Sequence, residues 1–210
     1  MKRGRLFIAL PRPRISGRRT LAAALKRRRT TRSIRDKKLP LQVLSNLLWA
    51  ACGVNRKTGP FGVPGRTAGS ASNSQEIDVY VAMAEATYLY DAASHRLVPV
   101  ARGDLRALAI SAGQRGAGDR APVRLVYVVD IDKFSGAGFQ EPGLYDPEIQ
   151  KSYYYVDTGL IAENVHLFAA SEGLAAWFHN CNRAALSKRL RLGPAQRALF
   201  GQTVGYPGED

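Results

Sequence analysis

Acidic side chains are almost missing from the first 38 positions, which hold Asp36 alone against fifteen of the chain's 31 lysines and arginines. Residues 39 to 210 carry 16 basic and 16 acidic side chains, so the net charge of +14 is an N-terminal property. Cysteine is scarce as well. Cys52 and Cys181 stand far apart, outside any CxxC or metal-ligand spacing, which excludes a disulfide framework and a zinc site and suits a reducing cytoplasm. Long apolar runs are missing: before Pro11 and Pro13 the N-terminus offers only Leu6 to Leu10. That is too short for a membrane span of roughly 20 residues, and a signal peptide is not expected. His95, His166 and His179 lack HExxH spacing, and GxSxG, GxxxxGK and a strand-preceded GxGxxG are all absent. Zinc hydrolase, serine hydrolase, P-loop and Rossmann chemistries therefore lose support.

What is present suits one domain: 210 residues, 45% hydrophobic and 23% charged, with no internal repeat. The arm over residues 1–19 carries seven basic residues and no acid, and the folded domain is expected over 20–210. Such an arm binds nucleic acid or an anionic surface by a sequence-blind, salt-dependent attraction; alternatively, some arginines of this region line an anion site inside the fold. No RNP motif, zinc finger or helix-turn-helix accompanies the charge.

Helical periodicity predicts a short helix from Thr20 to Arg28 with Thr20 as cap, and a second over Leu41–Cys52, stopped at Gly53. Residues 55–74 read as a long functional loop rich in Gly, Pro, Ser and Thr. Strands are expected at 77–84, 87–90 and 97–100 as a meander, at 123–131 as the central strand, and at 174–178 and 202–206. Further helices are expected at 104–111, 155–173, 183–190 and 194–200. The fold class is α+β, a mostly antiparallel central sheet covered by helices in three layers.

Three segments carry chemical information. Arg28-Arg29-Thr30-Thr31-Arg32 concentrates cations and hydroxyls where a helix gives way to a loop. In an extended chain, positions 28, 30 and 32 share a side, an arrangement suited to phosphate and a ribityl chain, because guanidinium forks bind phosphate oxygens; a solvated basic run has the same composition. Gly69-Ser70-Ala71-Ser72-Asn73-Ser74-Gln75-Glu76 precedes a strand, and its Asn and Gln amides pair donor with acceptor as reading the edge of a pyrimidine-like ring requires; it is equally a turn-rich loop. Leu174 to Asn180 runs from a buried strand into a loop, where backbone amides become available to a ligand.

In this order, these residues resemble the flavin-dependent nitroreductase family, in particular the branch containing stand-alone relatives of the azoline (thiazoline and oxazoline) oxidases. The likeness covers about residues 20 to 206 and also rests on Leu39 to Ala51, on Ala170-Ser171-Glu172-Gly173-Leu174-Ala175 and on Val204-Gly205-Tyr206-Pro207. It implies an FMN-binding α+β fold forming an intertwined homodimer with two flavin sites at the interface. The family's Arg-Arg-Ser-x-Arg pattern falls on Arg28, Arg29, Thr30 and Arg32, implying phosphate and ribityl contacts. Its Pro-Ser-x-x-Asn-x-Gln pattern falls on Gly69, Ser70, Asn73 and Gln75, and Asn73 is then expected at the pyrimidine end of the isoalloxazine. The backbone near Phe178, His179 and Asn180 corresponds to the segment reaching flavin N5. The chain departs from the family at Gly69 in place of proline, at His179-Asn180 where glycine is more usual, and at Gly208-Glu209-Asp210, where a further Lys or Arg often serves the phosphate.

The resemblance implies a cytoplasmic oxidoreductase that passes hydride from NADH or NADPH through FMN to a nitroaromatic or quinone-type acceptor by alternate occupation of one site. Two alternatives stand beside it. One is FMN-dependent oxidation of an azoline-type ring with oxygen as final acceptor, where the run Tyr153-Tyr154-Tyr155 supplies acid or base or only lines a wall. The other is a non-catalytic flavin or nucleic-acid binding protein whose functional part is the basic arm. No metal is expected.

Overall fold

The structure is a computed structural model and describes residues 7–15, 20–114, 116 and 121–209. The arm readings at residues 1–6 and 16–19 lie outside the described residues. In chain order the elements are β1 (Ile8–Ala9), α1 (Leu21–Arg27), α2 (Leu41–Cys52), β2 (Val54–Arg56), β3 (Gly65–Arg66), β4 (Ile77–Ala82), β5 (Ala86–Asp91), β6 (Arg96–Arg102), β7 (Val123–Asp130), α3 (Pro147–Glu172), β8 (Ala175–His179), α4 (Arg183–Leu190) and β9 (Gln196–Gly205). Seven strands form one sheet in the order β1-β6-β5-β4-β7-β9-β8, with every neighbouring pair antiparallel. β2 and β3 form a small ribbon of their own.

Alternation along β7 produces the three layers. Val123, Leu125, Tyr127 and Val129 join the core under α2 and α3, whereas Val126 and Val128 pack with Leu186 and Leu190 of α4 and with Leu105 and Ala109. Both faces are covered, so β7 is central and almost continuously apolar, as expected. α3 buries Tyr154, Thr158, Ile161, Val165 and Phe168 at helical spacing. It ends at Gly173, whose φ of 71° places it in the left-handed region that glycine enters without a Cβ clash.

Three expected elements are corrected. Residues 194–200 are not a helix: β9 begins at Gln196, and a bulge opposite Tyr127 and Val128 inserts Leu199. Ala198 and Leu199 are consequently both buried, an apolar doublet that imitates helical spacing. Residues 104–111 form one turn, Ala109 N–H to Leu105 O at 3.2 Å, and the backbone then turns away to bond Asn180 through Ser111 N–H at 2.9 Å. α3 starts eight residues before position 155, with Pro147 at its first turn and the Asp146 side chain accepting from Glu148 N–H and Ile149 N–H. Its first two turns are mostly exposed and polar apart from Ile149, so they show no buried apolar stripe.

Residues 7–15 are seated on the domain. Ile8 and Ala9 pair with Leu97 and Arg96, and Leu10 is buried. Pro11 O accepts from Ser45 Oγ at 2.5 Å, and the Asn46 amide bonds both N–H and C=O of Arg14.

Candidate functional site

Arg28 closes α1 by donating its N–H to Ala24 O, and the chain beyond is held by its backbone. Thr31 N–H donates to Ala176 O at 3.1 Å, Arg35 N–H to Tyr206 O at 2.9 Å, and Gly208 N–H to Ser33 O at 2.8 Å. This anchoring leaves the side chains of Arg28, Arg29, Thr30 and Arg32 exposed. Lys26, Arg27, Arg28, Arg29 and Thr31 line one wall of a cleft of about 410 Å³; the last turns of α3 from His166, with Gly173 and Leu174 just beyond them, form the other. The lining takes residues 28, 29 and 31 rather than 28, 30 and 32. Arg32 lies over the Trp177 ring, 5.4 Å from its centroid.

Charge in this cleft is weakly compensated. Arg28 has a distant partner, Glu163 at 3.9 Å, and among the described residues Arg29 has no carboxylate within salt-bridge distance. The C-terminal end of the α3 dipole faces these cations and favours them. Arg35 pairs with Glu209 at 3.6 Å, so the acidic C-terminal segment engages a neighbouring arginine. His166 forms part of the cleft wall at 6% exposure, and its pKa is lowered to about 4, first by burial and then by the Arg28 charge.

The second region is the loop before β4. Ser70 Oγ accepts from Gln75 N–H at 3.0 Å and closes the loop on itself. Asn73 Nδ2 donates to Pro60 O and Val63 O at 3.4 Å each; Gln75 Nε2 donates to Pro64 O at 2.7 Å and Asn73 Oδ1 at 3.0 Å. The two amides thus meet one another and the adjoining loop. Ser72, Asn73 and Gln75 have φ of 49°, 55° and 54°, left-handed values tolerated readily by Asn but strained for the other two.

Buried carboxyl groups hold this strained loop from beneath. Glu76 is fully buried and accepts from Ser74 Oγ at 2.6 Å, and Asp157 of α3 accepts from Ala71 N–H at 2.9 Å. The pKa of Glu76 is pushed up to about 7 by burial and then by the Asp157 charge, and burial raises Asp157 too. The pair therefore retains a proton at pH values where exposed carboxyls are ionised. Read from sequence, Glu76 is quoted without a role and Asp157 is not reached. Their signal was a carboxylate in the buried register of α3 and another at the mouth of a central strand.

The third segment differs from its expectation at the side chains. The His179 ring turns into the protein: Nδ1–H donates to Asn180 O at 2.9 Å and Nε2 accepts from Thr203 Oγ1 at 2.7 Å. Burial lowers its pKa to about 4 and keeps it neutral, so it neither narrows an adjoining space nor supplies a proton there. Asn180 N–H donates to Gln114 Oε1 at 3.1 Å. Phe178 points to the other face with Phe200 at 4.9 Å, and Tyr155 stands beside Phe200 at 5.9 Å. β8 brings the arginine segment and residues 177–180 together, whereas the loop at 69–76 meets α3 nine residues before His166, about 14 Å along the helix axis.

The order of these segments along one fold has a counterpart among known proteins. A model of the nitroreductase family matches residues 25–206. The chain belongs to that family. A crystal structure named as a nitroreductase, from Ralstonia eutropha JMP134, is 33% identical, with a TM-score of 0.82 over 97% of this chain and 90% of that one. The same fold, at 20% identity and a TM-score of 0.71, occurs in the Escherichia coli microcin synthetase complex McbBCD with truncated pro-MccB17 bound, over 94% of this chain and 77% of that one. A protein named as an NADH oxidase from Clostridium acetobutylicum is 20% identical, with a TM-score of 0.58 over 89% of each chain. Among curated proteins none matches. As a nitroreductase-family oxidoreductase the chain has the α+β fold expected of it, and no helix among the described residues is long and apolar enough to cross a membrane.

Proposed function

We propose that this protein is an FMN-dependent oxidoreductase that accepts hydride from NADH or NADPH and delivers it to a nitroaromatic or quinone-type acceptor. The observation that carries this reading is the pairing of a cationic cleft at Arg28, Arg29 and Thr31 with a separate, preorganised pair of amides at Asn73 and Gln75. One region suits a phosphate and the other the edge of a pyrimidine ring, as the two ends of FMN require. When bound, FMN supplies the two-electron carrier that the protein's own side chains lack. Arg28, Arg29 and Thr31 would hold the phosphate, with Thr30 and Arg32 beside them. Ser70 keeps the loop closed, and Asn73 and Gln75 would exchange their bonds to the Pro60, Val63 and Pro64 carbonyls for bonds to the ring edge. The backbone near Phe178, His179 and Asn180 would lie toward the reacting edge, with Asn180 N–H already engaged by Gln114 Oε1, and the inward-turned His179 ring leaves placement to that backbone.

Phe61 and Phe139, more than half exposed and stacked at 5.5 Å, flank the Asn73 loop through Pro60 and Val63 and suit a planar aromatic acceptor. Of the tyrosine run, Tyr153 donates to Glu141 at 2.8 Å, Tyr154 is buried, and only Tyr155 remains open to a ligand. The functional unit in this reading is a homodimer. Ile149, Val156 and Leu160 leave an exposed apolar stripe along α3, which a second copy would cover. Two buried free cysteines fit a cytoplasmic location.

Absorbance of the purified protein tests the reading. Flavin bands bleached anaerobically by NADH or NADPH, and restored by a quinone, are expected. Bands bleached only by an azoline-type substrate would move the assignment to the oxidase, and a colourless protein that FMN does not restore would remove the flavin reading.

A further inference from the structure

The cleft beside α1 contains a group that the resemblance does not assign. His166 is 94% buried by its 6% exposure, yet neither ring nitrogen hydrogen-bonds a described residue, and Nδ1 is completely shielded without a partner. Buried polar atoms of this kind are uncommon and call for an explanation. The ring lies in the same wall as Ala169 and Gly173, opposite Arg28 and Arg29, so it is the imidazole of a cationic cleft.

We propose that His166 is a ligand-binding residue of this cleft, which takes a phosphate monoester and protonates the imidazole as the dianion enters. This rests on the flavin reading above and adds to it a residue and a proton. Two features make the linkage physical. Among the described residues, the charged groups facing His166 are Lys26, Arg27, Arg28 and Arg29 from α1 and its end, with Glu163 on its own helix; of β8 and the C-terminal segment, the described lining is Ala176 and Pro207. Without an anion, burial and the Arg28 charge hold the ring neutral. An entering dianion offsets those cations and offers the ring an acceptor, both of which favour imidazolium. The proton comes from solvent, Nε2, the ring nitrogen that is not shielded, donates its N–H to a phosphate oxygen, and binding takes up protons.

The test is calorimetric titration of the full-length apo-protein with FMN, riboflavin and inorganic phosphate at pH 5.5 and 7.5, in buffers of different ionisation enthalpy. Wild type is compared with His166→Leu and His166→Phe, the latter preserving ring volume should the former fail to fold. Because the phosphate itself titrates near pH 6, the difference between proteins is the readout. Wild type should take up more protons per FMN at pH 5.5 than either variant. Its FMN affinity should exceed theirs about tenfold at that pH, the gain shrinking at pH 7.5, with riboflavin unaffected. Equal proton uptake in wild type and variants would overturn the proposal and leave the flavin reading standing. Equal losses for FMN and riboflavin would reduce His166 to a packing residue. If neither flavin binds, the flavin reading goes, and inorganic phosphate decides alone: extra proton uptake in wild type keeps the anion site, and none removes it.

Discussion

The arginine cleft and the amide loop are both polar and both anchored through their backbones, but they hold their functional side chains by opposite means. In the cleft the guanidinium groups are exposed and under-compensated, with Arg28 3.9 Å from Glu163, so its attraction for an anion is electrostatic and sensitive to salt. In the loop, Asn73 and Gln75 are uncharged, bonded to each other, and propped in left-handed conformations by buried acids. Its contribution is preorganisation, insensitive to salt and sensitive to the protonation of Glu76 and Asp157. On the flavin reading proposed above, such a site would separate affinity, supplied at one end, from orientation, supplied at the other.

The largest expected effect strikes the cleft alone. Arg28→Ala combined with Arg29→Ala should weaken FMN by about 3 kcal/mol or more, the scale of two hydrogen bonds to a charged group, with little change in the apo-protein's Tm. Fluorescence titration at low and high salt measures it, and the wild-type dependence on salt should largely vanish in the variant. Persistence of that salt dependence would place the phosphate elsewhere.

Next in size is a pH effect confined to the loop. An acid whose pKa is raised on folding contributes stability that is fully present below its unfolded value and lost as pH rises through its folded one. For Glu76 that window runs from about 4.5 to about 7. Wild-type apo-protein should therefore lose stability between pH 5 and 8 relative to Glu76→Gln, by about 4 °C or more in Tm. His166 and His179 act with the opposite sign: their pKa values are lowered to about 4, so their contribution is present above about 6.5 and lost towards pH 4. Both proteins share that contribution, and the difference curve isolates Glu76. A flat difference curve would mean that the carboxyl pair is not the prop.

A smaller effect is expected for Asn73→Ala, about 1 to 2 kcal/mol on flavin affinity, because neutral hydrogen bonds and a residue tolerant of the left-handed region are lost together. Calorimetric titration with riboflavin measures it, and an apo-protein Tm that falls while riboflavin affinity holds would make Asn73 a loop-stabilising residue only.

Least is expected from the arm. Removing residues 1–6 should leave NADH or NADPH oxidation within about twofold, under roughly 0.5 kcal/mol. Extending the deletion through residue 10 also removes β1 and the buried Leu10, and should lower Tm without altering the salt dependence of FMN binding. If oxidation collapses with the short deletion, the arm belongs to the site.

The sheet and the long helices were readable because burial on one or two faces writes a period into the chain, as in β7 and the second half of α3. What misled the reading had physical causes. The Leu199 bulge broke a strand's alternation, and the exposed early turns of α3 carried no buried stripe although Asp146-Pro147 marked their start. In the candidate site, the segments from Arg28 to Arg32 and from Ser70 to Gln75 stand out by residue type and order alone. Which side chains turn inward was not: His179 is consumed by Thr203 and Asn180, while His166, a helix residue with nothing to mark it, faces the cleft. Those outcomes depend on contacts made between distant parts of the chain.

The two-ended site is tested most directly by a double-mutant cycle of Arg29→Ala and Asn73→Ala, read as binding of both FMN and riboflavin. The account predicts that Arg29→Ala weakens FMN and spares riboflavin, that Asn73→Ala weakens both equally, and that the double variant loses the sum for FMN. Equal losses for FMN and riboflavin in Arg29→Ala would contradict it, since the cleft would then not be holding the phosphate.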